Sequence, residues 1–197
     1  LIAITFLSLT CGATEYVVGC WNLEHFGEGK QRGFPENTAK NPANRGPTYP
    51  PREDSDFKEI AKNIKSLKIR VLALSEINGE NSSTEDPDTG KEITQAGSKE
   101  LGRLRERLGS TWRFIIGTAG KSQRVAILYD TKYVDLNDYT ETDFENVKFG
   151  TDDRLFDRQP LIASFTFKQR SKRKNDFVFV PVHLASAQPL NYNHNEA

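Results

Sequence analysis

Val71-Leu-Ala-Leu-Ser-Glu-Ile77 decides how this chain folds: it is an apolar run of strand length that ends in a carboxylate, Glu76. An acid at the point where a buried strand emerges is costly unless solvent, a partner or a cation receives it, so the position marks a candidate site. Ahead of the run, Phe57, Ile60, Ala61, Ile64 and Leu67 recur at helical spacing from Asp54 onward, with Ser55 or Asp56 available as the cap. Further ahead, the β-branched and aromatic stretch Glu15-Tyr-Val-Val-Gly-Cys-Trp-Asn22 predicts a strand that passes into a polar terminus at Asn22-Leu-Glu-His25. Strand, helix, strand is a crossover unit. Its two strands run parallel and finish at the same edge of the sheet, which sets Asn22 beside Glu76. Residues 27–53 are rich in Gly, Pro and Asn without periodicity, and predict a long loop.

Downstream of Glu76 an acidic, flexible loop is expected over residues 78–92. An amphipathic helix follows near 98–108, with Leu101, Leu104 and Leu108 on one face and Gly109 as its stop. Trp112–Gly117 and Arg124–Tyr129 read as strands joined by a turn at Gly117–Gly120, and residues 133–157 as polar, irregular surface. Pro160–Phe167 and Asp176–Val182 predict an antiparallel pair joined by Lys168-Gln-Arg-Ser-Lys-Arg-Lys-Asn175, with Arg158 and His183 flanking its open end. The basic turn lies roughly 20 to 25 Å away at the usual rise per strand residue. It is read as a solvated, edge-protecting turn rather than a phosphate patch.

Of 197 residues, 36% are hydrophobic and 10% aromatic, enough for a real core. Lysine plus arginine and aspartate plus glutamate each total 27, so no global field draws the chain to nucleic acid or anionic lipid, and an anionic substrate must be recognised locally. The first residues, Leu1–Leu9, form an apolar run too short to span a bilayer, followed by small residues through Cys11-Gly-Ala13. Residues 1–13 are read as the remainder of a secretory signal and 15–197 as the domain itself. That makes the protein secreted or periplasmic, without stable membrane insertion. The competing readings of the run are a first core strand and, less favoured, a lipid-anchoring site at Cys11. The run has no initiator methionine and no basic region before it, so the N-terminus is taken as incomplete. With the leader removed, Cys20 has no disulfide partner within the chain.

Four strand ends thus deliver Asn22, Glu76, Arg158 and His183, and Arg124 opens a further strand. An amide oxygen and a carboxylate suit a hard cation, Mg²⁺ first, with Mn²⁺ or Ca²⁺ as substitutes. Neither cysteine lies in a zinc-binding pattern. Arginine offers a fixed fork of donors to phosphate oxygens, and histidine can donate to a phosphoryl oxygen or stabilise its developing charge. The set implies metal-assisted phosphoester hydrolysis. Each residue also has a plainer role: Glu76 in a strand-end salt bridge, Asn22 in a turn, Arg158 as a surface cation, His183 as a satisfied core histidine. The convergence carries the argument. His25 and His194 are read as loop or surface residues.

Five segments carry a resemblance: Trp21-Asn-Leu-Glu-His-Phe26, Leu72-Ala-Leu-Ser-Glu-Ile77, Gln123-Arg-Val-Ala-Ile-Leu-Tyr-Asp130, Asp157-Arg-Gln-Pro-Leu-Ile-Ala-Ser-Phe165 and Val180-Pro-Val-His-Leu-Ala-Ser186. In this order, over residues 16–186, they resemble the motifs of the endonuclease/exonuclease/phosphatase superfamily, the deoxyribonuclease-I-like fold. The resemblance implies an α/β fold, a four-layer sandwich of two mixed β-sheets between helices. It assigns Asn22 and Glu76 to a metal site, with Glu24 as an acidic neighbour. Arg158 and His183 go to the scissile phosphate, and Arg124 to the start of a central strand beside the site. Where pancreatic-type deoxyribonucleases carry a glutamate just before that arginine, this chain has Gln123. The family's later Gly-Asp-x-Asn and Ser-Asp-His motifs have no counterpart before Asn195-Glu-Ala197, so the chain is read as a fragment lacking its C-terminal part and, as given, inactive. The function implied is a secreted, Mg²⁺-dependent phosphodiesterase acting on a phosphodiester substrate, foremost nucleic acid, by in-line attack of water. Lipid or inositol-phosphate phosphodiesterases and phosphatases of the same fold are the alternatives, together with a non-catalytic binding module.

Overall fold

The computed structural model describes residues 4–11, 14–26, 52–78, 81–118, 123–142, 148–149, 153–154, 156–168 and 175–184. Along the chain these form β1 (Ile4–Cys11), β2 (Thr14–Phe26), α1 (Asp54–Ser66), β3 (Ile69–Asn78), β4 (Asn81–Glu85), β5 (Glu92–Ala96) and α2 (Ser98–Leu108). After α2 come β6 (Trp112–Ile116), β7 (Gln123–Asp130), β8 (Val134–Glu141), β9 (Lys148–Phe149), β10 (Asp153–Arg154), β11 (Phe156–Arg158), β12 (Leu161–Phe167), β13 (Asn175–Phe179) and β14 (His183–Leu184).

Strand alternation explains the layering. On β2, β6 and β7 the side chains of Trp21, Leu23, Phe114, Ile116, Ala126 and Leu128 enter one core, while Tyr16, Val18, Ile115, Ile127 and Tyr129 enter another. Side chains that point to opposite faces with a period of two can fill two cores only if the sheet is covered on both sides. Among the described residues that sheet has five strands in the order β1-β2-β3-β7-β6, with β2 and β3 parallel and the other pairs antiparallel. One face carries α1 and α2 through Phe57, Ile64, Leu101 and Leu104, all fully buried. Against the other lies a three-stranded antiparallel sheet, β13-β12-β8, which contributes Val134, Leu161, Ala163, Phe165 and Phe167. The chain is a mixed α/β sandwich, with layers of helix, sheet and sheet. Among the described residues the helices are α1 and α2, both against the first sheet, so the fourth, helical layer that the resemblance implies is not seen there.

The parallel pairing of β2 with β3 through the crossover helix α1 is realised as the pattern required. Helix α2 also spans its expected residues, and Gly109 ends it at φ 122°, a backbone setting that a residue with a Cβ rarely adopts. Other details differ. The cap of α1 is Glu53 rather than Ser55 or Asp56; Asp56 instead reaches back, its Oδ2 accepting the Glu53 backbone N–H at 2.8 Å, half of a capping box. Leu67 sits past the last helical turn and is 41% exposed, so it leaves the apolar stripe.

Residues 78–92 are not a loose loop. They form most of the β4–β5 hairpin, whose turn is fixed by Asp86 Oδ1 accepting the N–H groups of Asp88 and Thr89 at 2.9 Å each. A Cβ on Gly102 would stand 2.6 Å from Thr84 Oγ1, so β4 rests this closely on α2 because the helix has a glycine there. Residues 133–157 also hold more order than expected, since β8 pairs along the whole of β12. Its Asp135, Asn137 and Asp138 face outward and hide the inward Val134 from a search for alternation. The expected hairpin of β12 and β13 is present, although β13 stops at Phe179 and leaves Val180 and Val182 exposed. Residues 4–11 pair antiparallel with β2, at the edge of the sheet among the described residues.

Candidate functional site

The site begins where β3 loses regularity. Its ladder with β7 jumps from Leu74↔Ala126 to Ile77↔Arg124, so two residues, Ser75 and Glu76, stand opposite Val125 alone. That is a β-bulge, a device that re-aims a side chain at the end of a pair. Glu76 has φ 58°. For a residue with a Cβ the left-handed region costs roughly 1 to 2 kcal/mol, and such outliers gather where the side chain is needed in one direction. On the other flank β2 follows β3 to Asn22↔Ser75 and rejoins it at Phe26↔Ile77, so Leu23, Glu24 and His25 bow out opposite the bulge.

Between the two distortions, Asn22 Nδ2 donates to Glu76 Oε1 at 2.8 Å, and both side chains are half-buried. Arg124, also half-buried, is the second residue of β7 and lies across from Ile77, the residue that follows Glu76. Arg158 and His183 are brought opposite each other by the short antiparallel pair β11–β14, and β11 lies against β7. These two are placed by their backbone, as are Glu24, His25 and Gln123. His194 and the basic turn at 169–174 fall outside the described residues. Lys168, at the near end of that turn, pairs with Asp135 at 2.7 Å. The structure therefore joins Asn22 to Glu76 by contact and Arg158 to His183 by strand pairing, and places Arg124 across from Ile77, the residue after Glu76.

A divalent cation can be tested against this donor set. The pair offers one carboxylate and one amide oxygen, both hard donors, at a mouth where each side chain keeps some solvent. Mg²⁺ keeps several waters and takes one or two protein carboxylates, so the donor chemistry fits. Among the described residues no group of three or more His, Cys, Asp or Glu comes together. A cavity of about 360 Å³ lies elsewhere, between β6 and β8, lined by residues such as Arg113, Tyr129, Tyr139 and Leu161, and it includes neither Asn22 nor Glu76.

Among solved structures, the chain is similar to an endonuclease/exonuclease/phosphatase family protein from Bacteroides thetaiotaomicron, with 15% identity and a TM-score of 0.40 over 64% of this chain and 39% of that one. No protein-family model and no curated protein matches the chain. The chain thus spans about two fifths of the length of that solved protein.

Two residues at this end of the sheet carry no motif. Arg52 reaches the backbone of β2, its Nη2 donating to the Leu23 carbonyl at 2.5 Å, and Arg103 of α2 donates from Nη1 to the Arg52 carbonyl at 3.5 Å. Both contacts join residues far apart in sequence, Arg52 from the end of an aperiodic segment and Arg103 from a helix that reads as amphipathic. No local pattern marks either one.

Proposed function

We propose that this chain carries the metal- and phosphate-binding residues of a phosphoester hydrolase, acting on a phosphodiester, foremost nucleic acid. The observation that carries the reading is the left-handed bulge at Glu76 with Asn22 hydrogen-bonded to its carboxylate. A strained carboxylate at a strand mouth, held by a neighbouring amide, is pre-set to receive a cation.

In this reading Glu76 and the Asn22 amide oxygen hold Mg²⁺. When bound, the ion supplies charge neutralisation at the phosphate and a fixed orientation for it. Arg124 and Arg158 contact the non-bridging oxygens with their guanidinium forks, so that negative charge developing there meets donors already in place. His183 donates to a phosphoryl oxygen from the opposite strand of the β11–β14 pair. Water attacks in line with the leaving oxygen. Export is part of the same reading, supported by the apolar run at the N-terminus, and N-terminal sequencing of the exported protein decides between cleavage near Ala13 and retention of β1.

The experiment is hydrolysis of plasmid DNA and of a bis-aryl phosphodiester by the complete protein as a function of Mg²⁺. Arg158→Ala is expected to lower kcat by about 10² or more, in line with loss of a donor to the developing charge. Metal-independent hydrolysis, or full activity in Arg158→Ala, would overturn the reading.

A further inference from the structure

Just beyond Asn22, β2 parts from β3: the pairing passes from Asn22 straight to Phe26, so Leu23 lies outside that ladder. Leu23 is nonetheless buried, at 4% exposure, and a buried carbonyl outside a ladder needs a donor from elsewhere. Arg52 is that donor, through the 2.5 Å bond to Leu23 O. A guanidinium donor makes this bond charge-assisted, shorter and stronger than a neutral one.

Arg52 is itself held from behind. It stands two residues ahead of α1, its carbonyl accepts from Arg103, and the Arg103 guanidinium lies 4.1 Å from the centre of the Phe57 ring. Phe57 in turn meets Phe26 edge-on, ring centres 5.5 Å apart, at the point where β2 rejoins β3. The bowed segment 23–25 is therefore closed at its far end by the Phe26–Phe57 contact and pinned at its near end by Arg52.

We infer that Arg52 is a positioning residue for the Asn22–Glu76 pair: by fixing the carbonyl next to Asn22, it holds that side chain within reach of Glu76 and both oxygens toward one divalent cation. The inference rests on the metal reading above. Groups that orient first ligands in this way typically change metal affinity about 10- to 100-fold when removed.

The test is Mn²⁺ titration, read by electron paramagnetic resonance, on the wild type, Arg52→Ala, Arg52→Lys and Glu76→Gln, with melting curves and the Asn22 side-chain amide resonances recorded alongside. The expected result is a loss of about tenfold or more in Arg52→Ala, a smaller loss in Arg52→Lys, which keeps one donor, a shifted Asn22 amide resonance, and a preserved cooperative melt. Wild-type affinity in Arg52→Ala, with affinity lost in Glu76→Gln, would overturn the role of Arg52 and leave the metal site standing. A fall in affinity that only tracks a collapsed melting curve would also overturn it, as a contribution to folding alone. If the wild type itself fails to bind Mn²⁺, the metal reading falls, and the Asn22 resonance then decides: a shift in Arg52→Ala supports the positioning role, and an unchanged resonance refutes it.

Discussion

The two ends of the β3–β7 pair hold acids in opposite ways. At the far end, Asp130 is buried at 4% exposure on regular strand backbone. It is joined by Arg70 at 3.5 Å and accepts the Lys132 backbone N–H at 3.1 Å, while the Arg70 guanidinium stacks 3.7 Å from the Tyr133 ring centre. At the near end, Glu76 sits on a bulge in the left-handed region with an amide at 2.8 Å. A carboxylate that serves the fold is held on relaxed backbone by a cation that is itself packed. Under the proposed function, the carboxylate of Glu76 serves a ligand and is aimed by strained backbone. The difference predicts that substitutions at the far end change stability and leave ligand binding intact, and that those at the near end do the reverse.

The largest effect on stability belongs to the layer that backs both ends. Phe57→Ala removes a fully buried ring under α1 and should lower stability by about 3 to 5 kcal/mol in a denaturant melt, the usual range for a core Phe. A loss below about 1 kcal/mol would mean that the helix layer is not fixed as described. Asp130→Asn comes next. It leaves the half-buried Arg70 without its carboxylate and should lose about 1 to 3 kcal/mol with unchanged Mg²⁺ affinity, and an altered affinity would erase the contrast between the two ends.

How much of this contrast could be read from the sequence depended on the range of the interactions. Helix α1, β3 and the adjacency of Asn22 and Glu76 followed from local periodicity plus the rule that a crossover makes strands parallel. The left-handed setting of Glu76 left no trace in the letters, because it arises from two bulges in ladders with different partners. Arg52 was equally silent, since its partner Leu23 lies 29 residues away across an aperiodic segment. The β4–β5 hairpin went unseen because Asn81-Ser-Ser-Thr-Glu85 has no apolar face of its own and leans on Gly102 of α2.

Glu76→Gly is expected to have a small effect of unusual sign. Relief of the left-handed strain, about 1 to 2 kcal/mol, is offset by the roughly 1 kcal/mol entropic penalty of glycine, so the melting temperature should hold or rise slightly while Mg²⁺ affinity is lost. A clear fall in melting temperature would show that Glu76 supports the fold as Asp130 does, and would break the comparison.

The smallest effect concerns the hairpin turn. Arg113 holds Asp88 through two bonds, at 2.6 and 2.5 Å, and draws its carboxyl below the usual carboxylate range. A depressed folded value means that the contribution is complete above the unfolded value of about 3.9 and is lost as the pH falls through the lower folded one. The melting temperatures of the wild type and Asp88→Asn should therefore differ slightly at neutral pH and converge in strong acid. A gap that persists there would assign the effect to something other than the ion pair.

The central claim is that the strained carboxylate at the end of β3 is a cation ligand. Calorimetric titration of Mg²⁺ into the wild type and Glu76→Gln, which keeps the size and the backbone strain but removes the charge, tests it most directly. The account predicts saturable binding in the wild type and a loss of about 100-fold or more in the variant, with superimposable melting curves. Equal Mg²⁺ binding by the two proteins would contradict it.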